Sequence, residues 1–106
     1  MSKNIRQLMA NLKAALIELY GEQLRGIYLF GSYARDSADT NSDLDVMIVL
    51  SDYESYSEEI TRTGEIISRL SLEYDLTISR IFINEHSWNT DNTPLLRNVR
   101  AEAISL

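Results

Sequence analysis

Tyr28 to Leu50, YLFGSYARDSADTNSDLDVMIVL, is the stretch on which the fold turns. It reads as a strand ending in Gly31-Ser32, a polar loop, and a second strand that opens with Asp43 and Asp45. Successive side chains of a strand point to opposite faces, so the two carboxylates share one face, about 6.6 Å apart along the strand. Val46-Met47-Ile48-Val49-Leu50 is apolar at every position, the pattern of a central strand covered on both sides. Two acids therefore stand at the mouth of a hydrophobic core, which is costly unless a cation is shared between them.

Outward from this stretch, helix and strand patterns alternate. Upstream, Ser2 is an N-cap, and Ile5, Leu8, Met9, Leu12, Ala15, Leu16 and Leu19 follow at helical spacing until Gly21 stops them. This is a packing helix that covers a sheet face. Leu24 to Phe30 is the first strand, with Gly26 marking a bulge or a close approach. After the Gly31-Ser32 turn, Tyr33-Ala34-Arg35 reads as a short helix whose first amides face outward and suit a phosphate oxygen. Residues 36–42 form a polar loop.

Downstream, Ser51-Asp52 caps a long amphipathic helix with its stripe at Tyr56, Ile60, Thr63, Ile67 and Leu70. Glu54, Glu58, Glu59 and Glu65 make its solvated face. Tyr74 to Ile83 is β-rich and reads as a third strand, with Asp75 near its start and placed to complete a three-carboxylate cluster. Asn84 to Asn92 is polar and irregular, with room for one helical turn. Thr93 caps a last helix with Pro94 at its first position, and Leu95, Leu96, Val99 and Ala103 carry it to 101–103. The expected fold is α/β, a small mixed β-sheet flanked by helices.

A length of 106 residues suits one domain, 1–106, with little room for a separate substrate-binding module. Nothing approaches the ~18 apolar residues of a membrane span, and MSKNIRQL lacks the apolar stretch of a signal peptide. A cytoplasmic protein is expected, with no membrane contact. The absence of cysteine and the single histidine leave only oxygen ligands for any metal. A formal charge of −6 with ten scattered basic residues argues against a direct nucleic-acid partner.

Three carboxylates converging from two strands suit two Mg²⁺ ions ~4 Å apart, one activating an attacking hydroxyl and the other steadying a leaving pyrophosphate. Acids repel a bare triphosphate, so the nucleotide needs backbone amides and a hydroxyl on its far side. The Gly31-Ser32 turn supplies both, and glycine permits the close approach.

Gly31-Ser32, ten residues, then Asp43-x-Asp45, with the later triplet Tyr74-Asp75-Leu76, resembles the signature of the DNA polymerase β-like nucleotidyltransferase superfamily. The short chain, the GSYAR and SDLDVMIVL segments and the tail PLLRNVRAEAISL resemble its minimal nucleotidyltransferases, the antitoxins of pairs whose toxin is a HEPN ribonuclease. The resemblance implies a polymerase β palm-like fold, with Asp43, Asp45 and Asp75 as catalytic metal ligands for Mg²⁺ or Mn²⁺. Asp75 would also receive the acceptor's proton. Gly31 and Ser32 would hold the β- and γ-phosphates of ATP, and Arg35 would reach the triphosphate. Family members transfer AMP from ATP to a tyrosine on the HEPN toxin, with which a hetero-oligomer is expected. Two positions depart from the pattern: Asp36 stands where many relatives have glycine, and Ala103 where glycine commonly follows Glu102.

Taken singly these signals are weak. Gly-Ser is usually a turn, and an EF-hand is disfavoured because its glycine and terminal glutamate are missing. His86 reads as a surface residue, and Tyr33, Tyr53, Tyr56 and Trp88 as packing groups. Two other functions fit the same residues: a small-molecule nucleotidyltransferase of the antibiotic type, and an antitoxin that neutralises by binding alone.

Overall fold

The computed structural model describes residues 1–39 and 41–106; Thr40, within the expected loop 36–42, lies outside the described residues. Helix α1 spans Lys3–Tyr20. The Ser2 hydroxyl accepts from the Ile5 amide at 3.2 Å, and Gly21 ends the helix with φ 55, a positive φ that glycine adopts without a Cβ penalty. After a 3₁₀ turn at Gly21–Gln23 comes β1, Leu24–Phe30, with a register shift between Leu24 and Gly26. Strand β2 is Leu44–Leu50, α2 Tyr56–Tyr74, β3 Ile78–Asn84, α3 Glu85–Thr90, α4 Pro94–Glu102 and β4 Ile104–Ser105.

The four strands form one mixed sheet in the order β3-β2-β1-β4. β1 runs antiparallel to both β2 and β4, whereas β2 and β3 are parallel. A parallel pair needs a long crossover, which α2 provides. One sheet face carries Ile27, Leu29, Leu44, Val46, Ile48, Leu50, Ile78 and Phe82, packed beneath α1 and α2. The other carries Tyr28, Phe30, Met47, Ile81 and Ile83 against Leu96 and Val99 of α4 and Trp88 of α3. β2 lies between β1 and β3, and all its residues except Asp45 are buried, as its unbroken apolar run requires.

Four expectations are corrected. Helix α2 starts after Ser55, whose hydroxyl accepts from Glu58 N at 3.4 Å; Asp52 instead spends its carboxylate on the Tyr53 amide at 2.8 Å. The third strand starts at Ile78 rather than Tyr74, because α2 continues through Tyr74 and closes at Asp75, φ 52 and ψ 51. Aspartate is among the few side chains that accept this left-handed conformation. Residues 31–36 form a turn, not a helix, with one α-type bond from Arg35 N to Gly31 O at 3.1 Å and one 3₁₀-type bond from Asp36 N to Tyr33 O at 3.4 Å. Glu59 is 5% exposed rather than solvated; it accepts from the Tyr20 hydroxyl at 2.8 Å and from Arg62 Nε at 3.0 Å, the pairing that lets a carboxylate be buried.

Asp36, at the position where the resemblance expects glycine, has φ 59. The loop thus keeps a glycine-favoured conformation with an aspartate in it, one of the few residue types for which this costs little.

Candidate functional site

Leu44 fixes the orientation of both site acids. Its side chain is fully buried in the core beneath α1 and α2, worth roughly 2 kcal/mol of transfer free energy. Its neighbours are therefore turned to the α3–α4 face, the face of Met47. A one-residue slip would bury both aspartates and expose the leucine, so the register is strongly specified. Asp43 lies one residue before β2 and is exposed, and Asp45 lies within the strand and is half-buried.

Asp45 pairs with Phe30 of β1, the last residue before the Gly31 turn. Gly31 has φ 75, and its Cα faces the Asp45 carboxylate so closely that a Cβ there would overlap Asp45 Oδ2. Burial raises the Asp45 pKa above its ordinary value of 3.8; the neighbouring charge of Asp43 raises it further, and Arg35 opposes the shift. A carboxylate so placed favours either a proton or a cation.

Arg35, half exposed, donates from Nη1 to Glu102 Oε1 at 3.1 Å, and the amide of Gly31 donates to the same oxygen at 3.3 Å. The Ser32 carbonyl accepts from Ser37 N at 2.9 Å, which ties the far side of the turn. Gly31, Ser32, Arg35, Asp43 and Asp45 thus meet at one end of β1 and β2. Glu102 joins them from the end of α4 without any local signal in the sequence; the fold brings it in across 71 positions.

Asp75 does not stand on β3. It is the exposed cap of α2, and with Asn41, Ser42, Asp43, Ser71, Leu72, Leu76 and Thr77 it lines a cavity of about 430 Å³. On β3 the register partner of Asp45 is Ser79, so the strand residue beside Asp45 carries a hydroxyl, and the acid expected to complete the cluster, Asp75, lies outside the strand. Among the described residues no three carboxylates gather as a metal-holding group. The Asp43 and Asp45 pair nonetheless fits Mg²⁺, which is commonly held by one or two carboxylates and takes its remaining ligands from water and phosphates.

The family described as polymerase beta, nucleotidyltransferase, matches residues 4–99. The chain is a member of this nucleotidyltransferase family. A protein of Methanocaldococcus jannaschii named as a protein adenylyltransferase is 35% identical over 77 residues, covering 73% of this chain and 77% of that protein. Among solved structures, a mutant form of the toxin–antitoxin MntA–HpeT matches this nucleotidyltransferase with a TM-score of 0.62 and 22% identity, over 92% of this chain and 70% of that one. Spectinomycin adenyltransferase of Enterococcus faecialis, with ATP and spectinomycin, matches with a TM-score of 0.60 and 20% identity, over 84% of this chain and 38% of that one. At these identities the structural matches establish the fold. Among the described residues no helix is long and apolar enough to cross a membrane.

Proposed function

We propose that this nucleotidyltransferase transfers AMP from ATP to a tyrosine hydroxyl of a partner HEPN toxin in the cytoplasm and so acts as its antitoxin. The observation that carries the reading is the meeting of the Gly31-Ser32 turn with Asp43 and Asp45 at one end of the sheet. The protein adenylyltransferase name of the archaeal relative and the toxin–antitoxin match support a protein acceptor.

In this reading Gly31 N–H, the Ser32 hydroxyl and Arg35 take the β- and γ-phosphates. Asp43 and Asp45 would hold Mg²⁺, which when bound would neutralise charge on the triphosphate and polarise the reacting phosphorus. The acceptor oxygen forms a bond to the α-phosphorus while the α–β bridging P–O bond breaks. Pyrophosphate leaves, and the hydroxyl proton passes to a carboxylate or to water. The chain's task is alignment and charge balance, the dominant contributions to phosphoryl chemistry. Asp75, across the Asp43 cavity, is the outer acid of the site and faces the acceptor side.

The reading is tested by incubating the purified chain, Mg²⁺ and a HEPN protein with ATP labelled at the α- or the γ-phosphate. Label on the HEPN protein from the α-phosphate alone, absent with Asp43→Asn/Asp45→Asn, is the expected result. Neutralisation of the toxin by that double variant without any label would replace the reading with binding alone. Label on a small hydroxylated molecule in place of the protein would favour the antibiotic-type activity.

A further inference from the structure

Two of the groups assigned above to the nucleotide's phosphates, the Gly31 amide and Arg35, already hold an anion that belongs to the chain. Glu102 Oε1 accepts from the Gly31 amide at 3.3 Å and from Arg35 Nη1 at 3.1 Å, and Oε2 accepts from the same Nη1 at 3.3 Å. A carboxylate bridging a backbone amide at a glycine turn and a guanidinium occupies them as a phosphate would, since both are anionic acceptors of charge-assisted hydrogen bonds. Gly31 has a single N–H, and a donor pointed at Glu102 is not free for another acceptor.

We infer that Glu102 is the resident anion of the phosphate subsite and competes there with the nucleotide. This rests on the reading of Gly31 and Arg35 as phosphate-binding groups. The contact is built to be exchanged rather than kept. The Glu102 side chain is 27% exposed and that of Arg35 52%, and ion pairs at such exposure contribute little to stability. A triphosphate brings more charge to the same donors, and the displaced carboxylate can turn to water.

The position of Glu102 gives the exchange a structural reach. It is the last residue of α4, and two residues later β4 begins, pairing Ile104 with Leu29 and Ser105 with Tyr28. Filling the phosphate subsite therefore releases one of the ties that hold the α4–β4 segment against β1.

The test is calorimetric titration of the intact chain, without acceptor, using ATP with Mg²⁺ and separately tripolyphosphate, which has no base or sugar. Wild type is compared with Glu102→Gln and Glu102→Ala, and melting temperatures verify that each variant is folded. Both variants are expected to bind both ligands about three- to tenfold more tightly than wild type, the scale set by losing a weak competing ion pair and its repulsion. In the ligand-free chain, the Gly31 amide resonance should move on Glu102→Gln, and ATP should move the same resonance in wild type. Equal or weaker binding by both variants, with label transfer by wild type intact, overturns the competition and makes Glu102 a positioning residue for Arg35. That result leaves the nucleotidyl-transfer reading standing. Absence of binding of either ligand to all three proteins overturns both.

Discussion

The carboxylate of Asp45 stands where a side chain on Gly31 would begin. A residue of the phosphate turn and a residue of the acid pair are therefore in contact, and a side chain added at Gly31 must displace the Asp45 carboxylate. Gly31→Ala meets two obstacles, the φ of 75 and the overlap with Asp45 Oδ2. The first costs about 1–2 kcal/mol of stability. The second is relieved when Asp45 rotates, which moves the carboxylate out of the site instead of unfolding the chain. Gly31→Ala is thus expected to lower stability moderately in urea titrations, and to reduce transfer by roughly 10²-fold or more through the misplaced acid. Ser32→Ala, with no such contact, should change stability by less than about 0.5 kcal/mol.

Asp45 also sets a pH dependence. Its raised pKa means that, between 3.8 and the folded value, the folded chain holds more protons than the unfolded one. Stability from this group therefore falls as pH rises through that window, and above it the cost is constant. In buffer with a chelator at pH 7, Asp45→Asn should melt higher than wild type, and the gap should close as pH drops below 4. Mg²⁺ should raise the melting temperature of wild type but not of Asp45→Asn, since a ligand stabilises only the form that binds it. Thermal melts from pH 3 to pH 8, with and without Mg²⁺, check both statements.

What the sequence disclosed was local. Ser2 and the Thr93-Pro94 pair act within a few residues, and the structure places each where its local signal points; the Asp-Leu-Asp signal marks β2 to within one residue, since the strand begins at Leu44. Ends of elements were harder wherever two signals compete. Ser51-Asp52 reads as a cap, yet it is the Ser55 hydroxyl that accepts from Glu58 N, and α2 begins at Tyr56. Residues 74–83 favour strand by composition, yet α2 keeps its helix through Tyr74 and Asp75 accepts the left-handed cap. The burial of Glu59 and the site position of Glu102 were not legible locally, because the Tyr20 hydroxyl and the Gly31 amide that complete their contacts lie 39 and 71 positions away.

The Tyr20 and Glu59 pair is a structural counterpart to the site at the other end of β2. Burial, then the hydrogen bond to Glu59, pushes the Tyr20 pKa up from 10.0. A raised folded value contributes stability that is whole below pH 10 and is lost as pH rises beyond it toward the folded value. Tyr20→Phe removes one of two donors to a buried carboxylate and should cost about 1–3 kcal/mol at pH 7. The variant should also lose part of the alkaline slope. Urea midpoints at pH 7, 10 and 11 for both proteins provide the comparison.

Asp75 is the acid on which sequence and structure differ most, and a graded set of substitutions decides its part. It lies at the end of α2 and shares a cavity with Asp43, while the strand position beside Asp45 belongs to Ser79. An outer acid acts through water or on the acceptor, where losing one partner typically costs 10–100-fold. Asp75→Asn should therefore reduce transfer to about that extent and leave Mg²⁺ affinity within a fewfold of wild type. Asp45→Asn should remove both. Stability separates the two as well: Asp75→Gly suits the φ of 52 and should leave the melting temperature unchanged or slightly raised, because glycine adopts this conformation freely. Equal loss of Mg²⁺ binding from Asp75→Asn and Asp45→Asn would instead make Asp75 a direct ligand, and α2 would have to move its last turn toward β2 when metal binds.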